Sequence, residues 1–514
     1  MRSLRDWLNR LAGRLLDHAV GGNPDAVPVR LTRSVLRLYT PLYLAYCYRA
    51  GRLREVLRIN ARRPVRGALL ERAVRRAAQM CAVLDGEQQI VRKADKGERV
   101  EFNGRVLLAF HSSANFNPSG YTVRSTALMR ALSEVGIDLT ICTRFGYPWD
   151  LAQHRGKPRH ESSMVDGFQI RHFEDRDELI GDEDSRYVAA YADRLCALAR
   201  ETDASVIHGA SNFLNGLAAA EAARRLGIGC VYEMRGLWHL TRAFREPEFR
   251  QTEHFAYNER MEVEAARLCD RVVVISRALQ EWLIARGIDR GKVHLIPNAA
   301  ELDALPEKGA ALHIQDARNG LTIGFIGSLT AYEGLDYLIR AVASLAPQIP
   351  GLRCVIVGDG PERPPLERLC RKLGCRDIVE FVGRVPREQV AEYYRRFDIF
   401  PLPRRSCEVC ELVPPLKPLE IMAHRRPLIV SDVAPLAEIV QHEETGLVVP
   451  ADDVGALAAA ISRLGRDVTL RKRLAEQGRR WVETERNWAQ NAQMYLEMYR
   501  NIGAPARTET TEAG

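Results

Sequence analysis

The stretch RRSCEVCELVPPLKPLEIMAH, residues 404–424, gathers most of the chemistry this sequence offers. It follows a short apolar run, DIFPLP, and leads into a helical pattern that opens at Lys417 and Pro418. Proline suits a first helical turn because the N–H it lacks would have no partner there. Free N–H groups and the positive end of the helix dipole, with the Lys417 ammonium beside them, make a mouth that favours a diphosphate. Leu419 and Glu420 lie in the same turn. The Glu420 carboxylate can accept hydrogen bonds from vicinal hydroxyls, as on a ribose. Glu411, ahead of the turn, can reach a second hydroxyl-bearing ring. Taken alone, the same residues also describe a capped helix with a solvated Glu and Lys.

Other loops share the position just after an apolar run. GSLTAYEG (327–334), GDGPE (358–362) and GRVP (383–386) do so in the second half of the chain. Gly327 frees the backbone where a phosphate can approach, and Asp359 can hold a neighbouring loop or a nucleotide. Gly383 and Arg384 join them as binding candidates. In the first half, Ser119 and Gly120 precede a helix and can offer backbone N–H groups to a diphosphate. His208 ends the run SVIH, and Arg235 follows CVYEM as a cation for phosphate. A satisfied structural histidine and an internal ion pair are the competing readings of those last two residues.

The elements that must carry these loops alternate. RVLLAF, DLTICT, SVIH, CVYEM and RVVVIS are short apolar runs separated by amphipathic helical patterns, which means βαβ units and a parallel sheet. A second series follows: LTIGFIG, LRCVIVG, IVEFVG, DIFPLP, PLIVSD and GLVVP. The fold class is therefore α/β, with two doubly wound, Rossmann-like parallel-sheet domains facing a cleft. Open parallel sheets bind ligands beyond the carboxyl ends of their strands, which selects the loops named above. The expected layout is a basic helical extension over 1–100, an acceptor-side domain over 101–298 and a linker over 299–320. A nucleotide-binding domain over 321–484 follows, then a helix over 485–502 that crosses back to the first domain, and a disordered tail over 503–514. Residues 144–204 are read as largely irregular, and DED (182–184) within them as a solvated turn.

Charge is uneven. Residues 1–99 hold 21 Lys and Arg against 9 Asp and Glu; the remainder holds 53 against 57. The basic excess thus belongs to the extension, where arginines alternate with apolar residues at helical spacing. That pattern suits an anionic membrane surface as well as it suits a solvated hairpin packed on the next domain. A slightly acidic body argues against nucleic acid as a partner. No run of about 18 apolar residues is present, and the N-terminus lacks a secretion-signal pattern. Eleven scattered cysteines fit free thiols in a reducing cytoplasm. Cys407 and Cys410 form one C-x-x-C pair, read chiefly as incidental loop thiols, with a redox role as the alternative. No further ligand pair at zinc spacing accompanies them.

GDGPE…GRVP…ELVPPLKPLEIMAHRRPLIVSD…ETGLVVP resembles the C-terminal domain of retaining GT-B glycosyltransferases, in particular the glycosyl transferases group 1 (family 4) branch. SGYTVRSTALMRALSEVGIDLTICTRFGYPWD and VIHGASN…VYEMRGLW resemble that branch's N-terminal domain. The likeness covers about residues 104–500. It implies metal-independent transfer of a sugar from a nucleotide-diphosphate donor, with retention at the anomeric carbon and no separate cofactor. It maps the ribose-holding glutamate onto Glu420, the sugar-contacting glutamate onto Glu411, a histidine near the donor sugar onto His208, and the phosphate-side glycine loop onto Gly120. Two departures stand out. Eight residues separate Glu411 from Glu420 where the pattern has seven. The pattern G-R-L-x-x-x-K-G is here Gly327-Ser328-Leu329-Thr330-Ala331-Tyr332-Glu333-Gly334, without its two cations. Lys417 is the first candidate substitute, Arg404 and Arg405 the second. The expected activity is envelope or exopolysaccharide glycan synthesis on a glycan or lipid-linked acceptor, in the cytoplasm or on the inner face of the membrane. A nucleotide-sugar epimerase, a phosphorylase and a non-catalytic scaffold of the same fold are the alternatives.

Overall fold

The computed structural model describes residues 40–91, 99–173, 181–302 and 320–502. Most of the expected linker, the tail from 503 and the first 39 residues lie outside them. The chain divides into two compact units. The first comprises residues through Val274, Gln280–Leu295 and the chain from Gln493; the second comprises Ile275–Leu279 and Ile296–Ala492.

The first unit is built on β1 (Arg105–Phe110), β2 (Asp138–Thr143), β3 (Ser162–Val165), β4 (Phe168–Arg171), β5 (Val206–Ala210), β6 (Gly229–Met234), β7 (Arg271–Val274) and β8 (Val293–Leu295). Their order is β3-β4-β2-β1-β5-β6-β7-β8. All neighbours run parallel except β3 and β4. Every residue of β5 and β6 is buried. A parallel strand covered by helices on both faces has no solvent side, so its sequence reads as an unbroken apolar run.

The region read as irregular holds more order than its sequence suggested. β3 and β4 form a hairpin closed by Asp166 and Gly167, both at positive φ (54° and 83°). That is the backbone of a type I′ turn, and Asp-Gly between short strands is its usual sequence. The helix Asp184–Thr202 follows. Asp182 and Asp184 do not form a solvated turn: they are buried. Asp184 lies 2.9 Å from Arg76 and accepts from the Tyr257 hydroxyl at 2.7 Å. A carboxylate is kept in such a place by its partners, because burial without them is costly.

Arg76 belongs to the described part of the basic extension, which is helical over Thr40–Arg49, Leu53–Arg62 and Ala68–Asp85. These helices pack into the first unit. Gln79 bonds to the Ser185 N–H at 3.1 Å, Glu253 accepts the Leu53 N–H at 3.1 Å, and Gly51 accepts the His254 N–H at 3.2 Å.

The second unit carries β9 (Thr322–Ile326), β10 (Arg353–Val357) and β11 (Val379–Gly383) in order β11-β10-β9. It also carries β12 (Phe400–Leu402), β13 (Leu428–Ser431) and β14 (Leu447–Val449) in that order. All pairs are parallel. A bridge between Ile323 and Ile399 joins the two triplets. The carboxyl ends of β9, β10, β11 and β12 therefore open into the loops at Gly327, Gly358, Gly383 and Arg404.

Candidate active site

Two glycines bring these loops together. Gly327, just after β9, has φ +153°, and Gly358, just after β10, has φ +132°. A Cβ on Gly358 would lie 1.9 Å from the Gly327 carbonyl oxygen, and one on Gly327 would lie 2.3 Å from Cε of Lys417. The strand ends meet backbone to backbone, and the Lys417 stem passes directly over Gly327. Gly327 donates its N–H to Val357, and Gly358 donates to Gly383, at 2.9 and 2.8 Å. Asp359 is exposed and caps the Gly360 N–H at 2.9 Å. Arg384 is exposed.

Lys417 does not stand alone. Its Nζ lies 2.8 Å from Oε1 of Glu333, and Arg404 Nη2 lies 3.5 Å from the same oxygen. Glu333 and Arg404 are buried, and Lys417 is half-buried above the Phe325 ring. Burial pushes the Glu333 carboxyl up, but Lys417 and Arg404 prevail and hold it below its ordinary value. Glu333 occupies the very place in GSLTAYEG where the resembling pattern carries its lysine. The charges of loop and helix are thus exchanged: the loop supplies the anion, and Lys417 and Arg404 supply the cations from the segment after β12. Two cations against one carboxylate leave a positive excess. Arg405 does not contribute to it, because Ala331 O, the Tyr337 hydroxyl and Asp336 take up its guanidinium at 3.0, 2.9 and 2.8 Å.

The helix Lys417–Ala423 presents fewer free donors than its sequence promised. Pro418 has no N–H, and the N–H groups of Leu419 and Glu420 both donate to Leu416 O, at 3.0 and 3.3 Å. The Leu419 side chain is buried core. Any anion held here therefore relies on the Lys417 side chain more than on the helix end. Glu420 is half-buried, and its Oε2 accepts from the Tyr394 hydroxyl at 2.8 Å. Tyr394 is in turn stacked on His424, with ring centroids 4.3 Å apart. Tyr394 fixes this carboxylate, and only its place in a helical heptad-like run, EQVAEYYRRF, hinted at it. Glu411 is held at both oxygens, by Ser406 Oγ at 3.0 Å and the Ala434 N–H at 2.9 Å.

In the first unit the expected histidine and arginine are internal. β5 continues to Ala210, so His208 sits at its middle and not at its carboxyl end. His208 is 0% exposed. Its Nε2 lies 3.0 Å from Glu233 Oε2, and its Nδ1 shares a hydrogen bond with the Tyr499 hydroxyl at 2.7 Å. Burial depresses its pKa and outweighs the neighbouring carboxylate, so the ring is neutral. Glu233, on β6, also accepts from Arg124 at 2.7 Å and Arg235 at 3.0 Å. Arg235 is completed by Ser125 Oγ and Tyr121 O, at 2.6 and 3.1 Å. Both His208 and Arg235 are thus buried among internal partners. Gly120 is exposed at the start of the helix Gly120–Glu134, whose Ser119 and Thr122 form a capping box. Beyond β1 and β6, His111 meets the half-exposed Trp238 edge to face at 4.6 Å.

Residues 314–481 match the family described as glycosyl transferases group 1, and residues 119–299 match the glycosyl transferase 4-like domain. The chain belongs to the group 1 glycosyltransferases of GT-B fold. One curated relative of this group 1 glycosyltransferase, the alpha-D-kanosaminyltransferase of Streptomyces kanamyceticus, is 32% identical over 179 residues, 35% of this chain and 45% of that protein. The chain spans less than half the length of the first curated relatives it matches. A sucrose-phosphate synthase from Thermosynechococcus elongatus superposes with a TM-score of 0.60 at 22% identity, covering 77% of this chain and 98% of that one. The Anabaena protein HepE, solved in complex with UDP-glucose, gives 0.57 at 17% identity, covering 77% and 98%. Similarity at that level concerns the fold. Among the described residues of this glycosyltransferase, no helix is long and apolar enough to cross a membrane.

Proposed function

We propose that this group 1 glycosyltransferase moves a sugar from a nucleotide-diphosphate donor to an acceptor hydroxyl, with retention at the anomeric carbon. The observation that carries this reading is the convergence of Lys417 and Arg404 on Glu333 beside the Gly327 and Gly358 strand ends. As the glycosidic bond to the diphosphate breaks, negative charge grows on the leaving phosphate oxygen. A preplaced cation at that point stabilises the transition state more than the ground state. Lys417 takes that part, with Glu333 orienting it. Glu420, held by Tyr394, receives the ribose hydroxyls, and Glu411 faces the donor sugar. The acceptor hydroxyl attacks from the face that the diphosphate leaves, and the departing phosphate oxygen takes its proton. No metal is called on in this reading. HepE was solved with UDP-glucose, which makes uridine nucleotides the first donors to try.

The acceptor is proposed to be lipid-linked, in envelope or exopolysaccharide glycan synthesis. The support is the turn between the helices Leu53–Arg62 and Ala68–Asp85. There Arg62, Arg63 and Arg66 are exposed without an acidic partner among the described residues, next to Leu69, which is 42% exposed. A thermal-shift panel of UDP-, GDP- and ADP-sugars tests the donor site, because a bound ligand raises stability by RT ln(1 + [L]/Kd). Stabilisation by one nucleotide series in wild type, and not in Lys417→Ala, is the expected result. If no series shifts the wild type, the non-catalytic scaffold becomes the better account.

A further inference from the structure

Ten of the eleven cysteines are buried, and Cys407 alone is partly open. It stands immediately before the helix Glu408–Leu412, and its carbonyl accepts the N–H groups of Cys410 and Glu411 at 2.8 and 2.9 Å. That closed turn places the side chains of 407 and 410 on one face. The Cys410 thiol faces both the Tyr332 carbonyl, at 3.8 Å, and the Cys407 sulfur. The hydrogen bond from Cys410, aided by its backbone N–H and by the Arg404 guanidinium, lowers the Cys407 pKa to about 7 against the opposing effect of burial. Cys230 and Cys269 offer a contrast in the same chain. Their sulfurs are 2.9 Å apart, yet both are buried, and burial raises Cys230 well above the ordinary thiol value.

We propose that Cys407 and Cys410 form an oxidant-reactive site, in which Cys407 takes oxygen from a peroxide and Cys410 resolves the product as a disulfide. The Cys407 thiolate attacks the O–O bond and becomes a sulfenic acid, and the second peroxide oxygen leaves as water. The Cys410 sulfur then attacks that of Cys407, the S–S bond forms, and the hydroxyl departs as a second water. The two sulfurs together supply the two electrons that reduce the peroxide. Access and thiolate character select such a cysteine over buried ones. Oxidation also takes the Cys410 sulfur from the Tyr332 carbonyl. Tyr332 adjoins Glu333, so the disulfide bears on the Lys417 pair; that consequence rests on the donor-site reading above.

Intact-mass and peptide analysis of the folded full chain after limiting hydrogen peroxide tests the site without any nucleotide. The expected product has lost about 2 Da in the peptide bearing Cys407 and Cys410, and dithiothreitol reverses it. Cys410→Ala and Cys410→Ser should each trap the sulfenic acid, read as a dimedone adduct on Cys407. Cys407→Ser should react at least about tenfold more slowly. The site is refuted if Cys407→Ser oxidises Cys410 at the wild-type rate, or if Cys407 in the wild type proceeds to sulfonic acid with no disulfide. Because these readouts ignore sugar transfer, their failure is separate from failure of the donor site.

Discussion

Replacing Lys417 with methionine keeps most of the side-chain volume and removes the charge, so it isolates what the ammonium does. Two effects follow. Glu333 loses its 2.8 Å partner and keeps only Arg404 at 3.5 Å. Breaking one side of a buried ion pair costs up to about 3–5 kcal/mol. The Lys417 side chain is 17% exposed and Arg404 remains, so the loss should fall nearer the ~1–3 kcal/mol of a buried group left underpaired. The second effect is on the diphosphate. A hydrogen bond to a charged group contributes ~1.5–3 kcal/mol, and ~1.4 kcal/mol is a factor of ten. Nucleotide affinity should therefore fall about ten- to hundredfold, and the remaining Glu333 carboxylate should repel the diphosphate besides. Calorimetric titration with the nucleotide that stabilises the wild type, alongside urea denaturation of each variant, separates the two. Glu333→Gln is the decisive companion. It removes the anion and leaves Lys417 in place, so affinity should hold or rise while stability falls. If Glu333→Gln weakens nucleotide binding as much as Lys417→Met does, Glu333 is not a counterion and the exchange of charge between loop and helix is refuted.

Gly327→Ala sets a Cβ 2.3 Å from Lys417 Cε and forces a left-handed φ on alanine; it should reproduce the binding loss of Lys417→Met, as titration would show. The Glu333 carboxyl is held low in the folded state, so its contribution to stability is present above the ordinary carboxyl value of about 4.3 and fades as pH falls through its lower folded value. The stability gap between wild type and Glu333→Gln, followed by denaturation from pH 7 downward, should close on the acid side. Burial depresses His254 to about 3, with Arg76 and Arg242 acting in the same direction. The unfolded chain then binds the extra proton first, and the wild type should lose stability from about pH 6.5 downward, a slope that His254→Phe flattens. His208→Gln should lower the melting temperature while sparing turnover per folded molecule. A hundredfold loss of turnover at unchanged stability would return His208 to the active site.

Much of the architecture was written in apolar runs. RVLLAF became β1 and LRCVIVG became β10, because strands covered on both faces tolerate little else. The hairpin at Asp166–Gly167 carried its signal too, in the Asp-Gly pair between SSMV and FQIR. Charge pairing was harder to read. A carboxylate such as Glu333 or Asp184 looks the same in sequence whether it is solvated or buried against an arginine, since its partner lies far along the chain. Position within a strand was harder still. SVIH suggested that His208 marks a strand end, but two further residues pair before the sheet lets go. Arg235 follows the strand that carries its partner Glu233, so the internal ion pair, one of its two readings, lay two residues away in the sequence.

Tyr495 and Tyr499 complete the polar cluster around Glu233: one accepts from Arg124 at 3.0 Å and the other bonds to His208 at 2.7 Å. In sequence their helix, Trp488–Arg500, follows β6 only after nearly all of the second unit. On the ribosome the first unit therefore waits. With about 5–20 residues added each second, some 260 residues emerge after Glu233 before Tyr495 does, an interval of tens of seconds. Through that time Arg124, His208 and Glu233 lack hydroxyls that the finished core supplies. The unit translated first is, in this one respect, the last to close, and a nascent chain stalled before Tyr495 would present an open seam to chaperones and proteases.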